Sequence, residues 1–288
     1  MTTLVSIDGV VHAADDAKVS VFDRGFLFGD SVFETIRTYG GRPYALRTHL
    51  ERLARSAARV FIDLPVPIER MEGDVEDVLR SAANPESYIR VIVTRGSGPL
   101  GLDSGFEASP TRVVIVAPLV PPPAEAYANG ISVVTFRTQR IAEATDAVGS
   151  KVGNYLVAVL AMRRAREVGA SEALIVDAAG DVVEGATSNV FAVIDGGLVT
   201  PPEDAGILAG ITRASVLDLG RELGLPVELR ALSARDLERA SELFITSSIR
   251  EVLPVVAVDG SAVGAGVPGE ITSRLHRAFR EKVLKSLG

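Results

Sequence analysis

Residues 150–170, SKVGNYLVAVLAMRRAREVGA, set a single lysine, Lys151, ahead of a glycine, a tyrosine and a strongly apolar run that reads as buried helix to about Val168. Lysine is among the side chains least often buried, because its charge must be desolvated or paired. The ordinary reading of Lys151 is a surface residue whose stem lies along the protein. The other reading is an amine poised against an apolar wall. The rest of the chain has to choose between them.

With 288 residues and 47% of them apolar, the chain is long enough for one large or two coupled domains. It has no run of eighteen apolar residues, and its start, MTTLVSIDGVV, places no charged region before an apolar stretch. The expectation is a cytoplasmic protein that does not bind membranes. The absence of cysteine removes disulfides, thiolate metal sites and thiol nucleophiles. The three histidines, His12, His49 and His276, stand at no ligand spacing, so neither a metal nor a Ser-His-Asp mechanism is expected. A net charge of -7, with both signs mixed along the chain, argues against nucleic acid. A small-molecule enzyme is the default.

Short β-type runs joined by hairpin turns dominate the first hundred residues. LVSIDGVVH reads as strand, Asp-Gly turn, strand, and SVFETIRTYGGRPYAL repeats the scheme around Gly40-Gly41. THLERLARSAARV puts Leu50, Leu53, Ala54 and Ala57 on one helical face with Thr48 as N-cap. SYIRVIVTRG and TRVVIVAPLV are further strands. The proline cluster that follows suggests a domain at 1–118, a linker at 119–128 and a second domain at 129–288. There, strands ISVVTF, EALIVD, VVEG, NVFAVI, LFITSS and VVAVDG alternate with the Lys151 helix, a helix from about Thr212 to Gly224 and a terminal helix from ITSRLHRAFREKVL. Strands outnumber helices and mostly join by hairpins, which is the pattern of a mixed α+β fold.

The loop GSGPLG at 96–101 matches G-x-G-x-x-G, but Pro99 and the following LDSGFEASP read as continued loop where a dinucleotide site needs a helix to open. In ILAGITRASVLDL, Gly210 lets backbone approach a ligand, and Ile211 and Thr212 would offer amides at a helix N-terminus, where peptide dipoles favour phosphate. Taken alone this reads first as a structural cap. In GDVVEGATSNVF, Glu184 is either a solvated strand-end acid or a buried one with a cationic partner. Together, an amine, a phosphate-binding helix start and a carboxylate for a ring nitrogen are the three requirements of pyridoxal phosphate.

These motifs resemble the class IV, or fold type IV, pyridoxal-phosphate enzymes: branched-chain aminotransferases, D-amino-acid aminotransferases and aminodeoxychorismate lyases. The likeness runs nearly end to end, through DRGFLFGDSVFETIR, HLERL, SKVGNYL, VVEGATSNVF, LAGITR and LFITSS in the family's order. It implies a small N-terminal α/β domain and a larger pseudo-barrel domain, in a homodimer. By the same resemblance Lys151 is the Schiff-base lysine, and Glu184 partners the pyridine nitrogen. Arg52 binds the phosphate along with the Ile211 and Thr212 amides after Gly210, and Leu208 packs on the ring. Tyr155 supports the ring hydroxyl, and Ser247 and Ser248 approach phosphate or substrate.

The subtype is read from fewer letters. D-amino-acid enzymes hold the substrate carboxylate with a tyrosine, an arginine and a histidine, where this chain has Phe33, Leu100 and Leu102. The lyases resemble the chain in FLFGDSVFETIR, but many have asparagine at Ser247. Branched-chain enzymes carry a Tyr-x-Arg matched by Tyr88 and Arg90 and a motif matched by Phe33 and Arg37, although Thr35 and Phe28 depart from it and the Lys151–Tyr155 spacing is one residue shorter. The expected activity is therefore a ping-pong transamination between an aliphatic L-amino acid and a 2-oxo acid such as 2-oxoglutarate. A D-amino-acid aminotransferase is the first alternative and a lyase the second. Arg90, with Arg37 or Arg95, would receive the substrate carboxylates, and surface charge is the other reading of Arg37 and Arg95.

Overall fold

Asp8 and Gly9 both take positive φ, 50° and 89°, as a two-residue hairpin turn requires, and fold β1 (Leu4–Ile7) onto β2 (Val10–Ala13). The computed structural model describes residues 1–103, 109–138 and 147–288. The chain divides into two compact units, Met1–Val120 with Ser150–Asn154, and Pro121–Gly149 with Tyr155–Gly288.

In the first unit the short helix α1 (Arg24–Phe28) leads into β3 (Ser31–Tyr39), followed by β4 (Arg42–Pro43), α2 (Leu46–Arg59), α3 (Ile68–Ala82), β5 (Ser87–Thr94) and β6 (Arg112–Pro118). The sheet order is β2-β1-β6-β5-β3-β4. Alternation along β3 sends Val32 and Ile36 against Leu50, Leu53 and Ala57 of α2 and Met71, Val75 and Val78 of α3, a buried apolar cluster. Phe33, Thr35 and Arg37 take the other face. The expected Thr48 cap is corrected: α2 starts at Leu46 after Ala45, which turns the chain with φ 53° and gives no side-chain cap. Starting there lets Leu46 pack on the same cluster. No helix opens within 96–101, and a Cβ on Gly96 would meet the Ser109 carbonyl at 1.9 Å, so this glycine answers a close backbone approach. The loop expected to continue over 102–110 lies in part, at 104–108, outside the described residues.

The second unit begins inside the expected linker. Three prolines end the extended stretch, and the alanine-rich residues after them form α4 (Ala124–Asn129). Then come β7 (Ile131–Arg137), α5 (Leu156–Glu167), β8 (Glu172–Val176), β9 (Val182–Gly185), β10 (Asn189–Ile194), β11 (Gly197–Thr200), α6 (Ile211–Glu222), β12 (Val227–Leu229), α7 (Ala234–Arg239), β13 (Glu242–Ser247), β14 (Glu251–Val258), β15 (Ser261–Ala262) and α8 (Glu270–Leu287). The main strand order is β12-β11-β10-β13-β14-β7-β8-β9, with β15 on β14. Val182 of β9 and Val199 of β11, near opposite ends of that order, share one buried cluster with Val190, Ile245 and Leu253. The sheet therefore curls into a half-barrel around its own side chains, as the expected α+β fold requires.

Helix α5 corrects the opening expectation. Ala161 and Ala165, one turn apart, pack under the sheet with Ala173 and Ile175, while Leu156, Val157, Val159 and Leu160 are exposed. Small residues allow the close helix–sheet approach, and the large aliphatics of the run point away from it. No helix of the described residues is long and apolar enough to cross a membrane.

Candidate active site

Lys151 belongs to no helix. Its carbonyl accepts from the Phe33 amide (2.9 Å), the Gly153 amide donates to the Ser31 carbonyl (2.7 Å), and Val152 bridges Val32, so the segment lies as a short antiparallel addition to β3. Its own amide donates to Ser56 Oγ on α2 (3.2 Å). Gly153 is required there, because a Cβ would come within 2.1 Å of Ser31 Oγ. The side chain is half-buried, with Nζ 4.7 Å from the centre of the Phe33 ring. The apolar wall is this ring, supplied by the neighbouring strand.

Alternation brings the expected substrate residues to the same face of the sheet. Register pairs Thr35 with Arg90 and Arg37 with Tyr88, so Phe33, Arg37, Tyr88 and Arg90 share one side. The Arg90 guanidinium lies 3.9 Å from the Phe33 ring centre, and that of Arg37 lies 4.3 Å from the ring centre of Tyr39. Arg95 is a correction. It donates to Asp30 from Nε (2.7 Å) and Nη2 (3.1 Å), and to the carbonyls of Phe61 (2.6 Å) and Val60 (2.8 Å). A fork so fully engaged is a clamp closing the end of α2 onto the α1–β3 junction, and no edge of it is left for a substrate.

On the opposite face of β3, Glu34 is fully buried and meets α2. Arg52 grips it in two bonds, Nε to Oε1 and Nη2 to Oε2, both 2.7 Å, and His49 Nδ1 lies 2.7 Å from Oε2. Burial alone would push the Glu34 carboxyl up, but hydrogen bonds and charge from Arg52 and His49 outweigh it and hold it at about 2. Burial pushes His49 down from its ordinary 6.5 against the opposing pull of Glu34. A neutral His49 beside an ionised carboxylate must carry its proton on Nδ1. Arg52, expected at a phosphate, is thus oriented by an acid and a histidine that the motifs did not single out. Their signal was present: Glu34 occupies an inward position of β3, three and four residues apart on α2 are neighbours, and His49 and Arg52 have that spacing.

Replacing Glu34 with alanine takes the carboxylate from a buried guanidinium, an expected loss of about 3–5 kcal/mol in urea unfolding. Stability from Glu34 is fully present above pH 4.5 and is lost as pH falls toward about 2. His49, with its folded value lowered, adds a loss that begins as pH drops through 6.5, where the unfolded chain takes up a proton that the folded one refuses. In Glu34→Gln the part of that acid slope between 4.5 and 2 should be missing.

In the second unit, Glu184 on β9 is half-buried, and its Oε2 accepts the Leu208 amide (3.2 Å). Asn189 Nδ2 donates to the Leu208 carbonyl (2.9 Å), and a Cβ on Gly210 would meet Asn189 Oδ1 at 2.0 Å. Gly210 is therefore demanded by this clamp on the chain entering α6. It is the N-cap of α6 and offers no side chain, so the first-turn amides of this 12-residue helix, from Ile211 and the buried Thr212, receive no side-chain cap. Thr246 of β13 pairs with Asn189 in register and so shares its face, and the buried Thr246 Oγ1 has no hydrogen-bond partner among the described residues. Ser247 Oγ accepts the Arg250 amide (3.2 Å), and Ser248 is half-buried in the following turn. Tyr155, also half-buried, is the N-cap residue of α5. An unsatisfied buried hydroxyl on the sheet face that braces an uncapped helix start makes a place suited to an anion.

The family model for amino-transferase class IV matches residues 31–258. A Methanocaldococcus jannaschii protein named "Putative branched-chain-amino-acid aminotransferase" is 42% identical over 277 residues, 96% of this chain and 95% of the relative. The D-alanine aminotransferase of Bacillus licheniformis is 33% identical over 280 residues, 97% of each chain. The crystal structure of a T.th. branched-chain amino acid aminotransferase complexed with N-(5'-phosphopyridoxyl)-L-glutamate superposes with a TM-score of 0.90 at 30% identity, covering 99% of this chain and 95% of that one.

Proposed function

The chain belongs to the class IV aminotransferases, and from that premise we propose that it uses pyridoxal phosphate to move amino groups between an aliphatic, branched-chain L-amino acid and a 2-oxo acid such as 2-oxoglutarate, in ping-pong order. The observation that carries the reading is the Phe33 ring, with the Lys151 amine on it at 4.7 Å and the Arg90 guanidinium at 3.9 Å: an amine, a carboxylate receptor and an apolar surface together.

The residues present fit the coenzyme. Its phosphate is suited to the α6 start, where the orphan Thr246 hydroxyl and the uncapped amides of Ile211 and Thr212 offer donors, and Arg52, Ser247 and Ser248 have the same role in this reading. Leu208 packs on the ring and Tyr155 supports its hydroxyl. When bound, the coenzyme supplies an electron-withdrawing ring that takes up the electron pair left when the substrate's α-carbon loses its proton. Glu184 holds a proton on the ring nitrogen. Lys151 Nζ anchors the resting coenzyme and, once released by substrate, takes the α-proton and returns it one step later as general base and then acid. Arg90, with Tyr88 and Arg37 beside it on the sheet face, holds the second carboxylate that an acceptor such as 2-oxoglutarate carries, and Phe33 keeps water from the amine. The same reading carries a homodimer, for which the exposed aliphatics of α5 are a surface to cover.

The Bacillus licheniformis relative favours a second reading, D-amino-acid transamination. Rapid mixing with paired L- and D-amino acids, following the coenzyme spectrum, separates the two. L-leucine is expected to react faster than D-alanine, and the reverse order would install the second reading.

A further inference from the structure

The turn after β13 contains an arginine that the motifs leave unused. Arg250 follows Ser247 and Ser248, and its carbonyl accepts from Tyr127 Oη (3.2 Å). The next residue, Glu251, is buried at φ 57°, with its carboxylate 2.7 Å from His276 Nε2. A left-handed conformation at a residue with a side chain persists only where its surroundings over-determine it, so this turn is held firmly.

The Arg250 side chain crosses to β8. Its Nη1 donates to the fully buried carboxylate of Glu172 and to Thr187 Oγ1 (3.0 Å), and Glu172 also accepts from Thr187 Oγ1 (2.8 Å). Thr187 stands three residues beyond Glu184. One guanidinium thus spans the turn that follows Glu184 and the turn that follows Ser247. Its Nε and Nη2 donate to no group among the described residues, and 22% of the side chain is exposed. Those two nitrogens form an edge of the planar fork, the geometry that grips a carboxylate in two parallel bonds.

We propose that this edge of Arg250 receives the substrate's α-carboxylate and makes the enzyme select 2-amino and 2-oxo acids over amines. The proposal rests on the transaminase reading above. The α-carboxylate is the one charged group that donor and acceptor share, and the two turns spanned by Arg250 bear the residues assigned to the coenzyme. Glu172 fixes the guanidinium through Nη1 and leaves the other edge to the ligand.

The test compares coenzyme-loaded wild type with Arg250→Ala and Arg250→Lys. Calorimetry reads binding of 4-methylpentanoate and of the uncharged 4-methylpentanamide, and steady-state rates give KM for L-leucine and 2-oxoglutarate. Arg250→Ala should weaken the acid and raise both KM values about 10- to 100-fold, the size of a hydrogen-bonded charge contact, leave amide binding as it was, and be partly rescued by lysine. Unchanged acid binding, or equal loss of acid and amide, overturns the proposal. Wild type that binds the acid but transfers no amino group would instead sink the transaminase reading, with the effect of the variants on acid binding still decisive for Arg250.

Discussion

Lys151→Ala is expected to lower turnover by at least about 10³-fold, the contribution of a positioned acid–base group, and to abolish the near-visible absorbance of the bound coenzyme with it. The chain has four lysines: Lys18, Lys151, Lys282 and Lys285. Lys18 and Lys285 are exposed, and Lys282 on α8 lies 4.0 Å from Asp218. Among the described residues, only Lys151 has its amine on a buried ring. Borohydride reduction and peptide mapping should therefore label one lysine in four, and a label on any other, or none, would overturn the assignment. Residue 151 is held by main-chain bonds, its carbonyl to Phe33 and its amide to Ser56 Oγ, which alanine retains. The variant should fold, with an unfolding midpoint near that of wild type. Loss of activity with the fold intact is the result that separates chemistry from stability.

What could be read in advance follows from how local each cause is. The β1–β2 hairpin was legible because Asp-Gly favours the two positive φ values that the turn adopts. The Lys151 amine needed one more step, because the ring beneath it comes from β3, more than a hundred residues earlier. Helix α3 went unread although Met71, Val75, Val78 and Ala82 recur at helical spacing opposite a charged face, a signal that was legible in the letters. Thr48 was a plausible cap by composition, but Ala45 turns the chain earlier, which lets Leu46 pack, partly buried, on the apolar cluster. Arg95 and Arg52 look alike as letters. One is closed on Asp30 and two carbonyls, the other on Glu34, and neither partner can be known until strands and helices are assembled. Arg250 is the extreme case, since residues 172, 187 and 250 meet only when the sheet curls.

Glu184→Gln is expected to keep the coenzyme bound while kcat falls by about 10²-fold or more, the size of one preorganised electrostatic contact. The substitution preserves shape and an oxygen acceptor for the Leu208 amide, so the chain entering α6 should keep its place. What it removes is the negative charge. A carboxylate favours a proton on the ring nitrogen it faces, and a neutral amide does not, so the ring loses its pull on electrons from the α-carbon. Coenzyme affinity and turnover are therefore predicted to separate, whereas a purely structural Glu184 would lose both or neither. Equilibrium titration of coenzyme beside single-turnover rates with L-leucine measures the split. Wild-type kcat in the variant would leave Glu184 a structural role, such as holding the Leu208 amide, and the electron-withdrawing role would have to be sought elsewhere in the second unit.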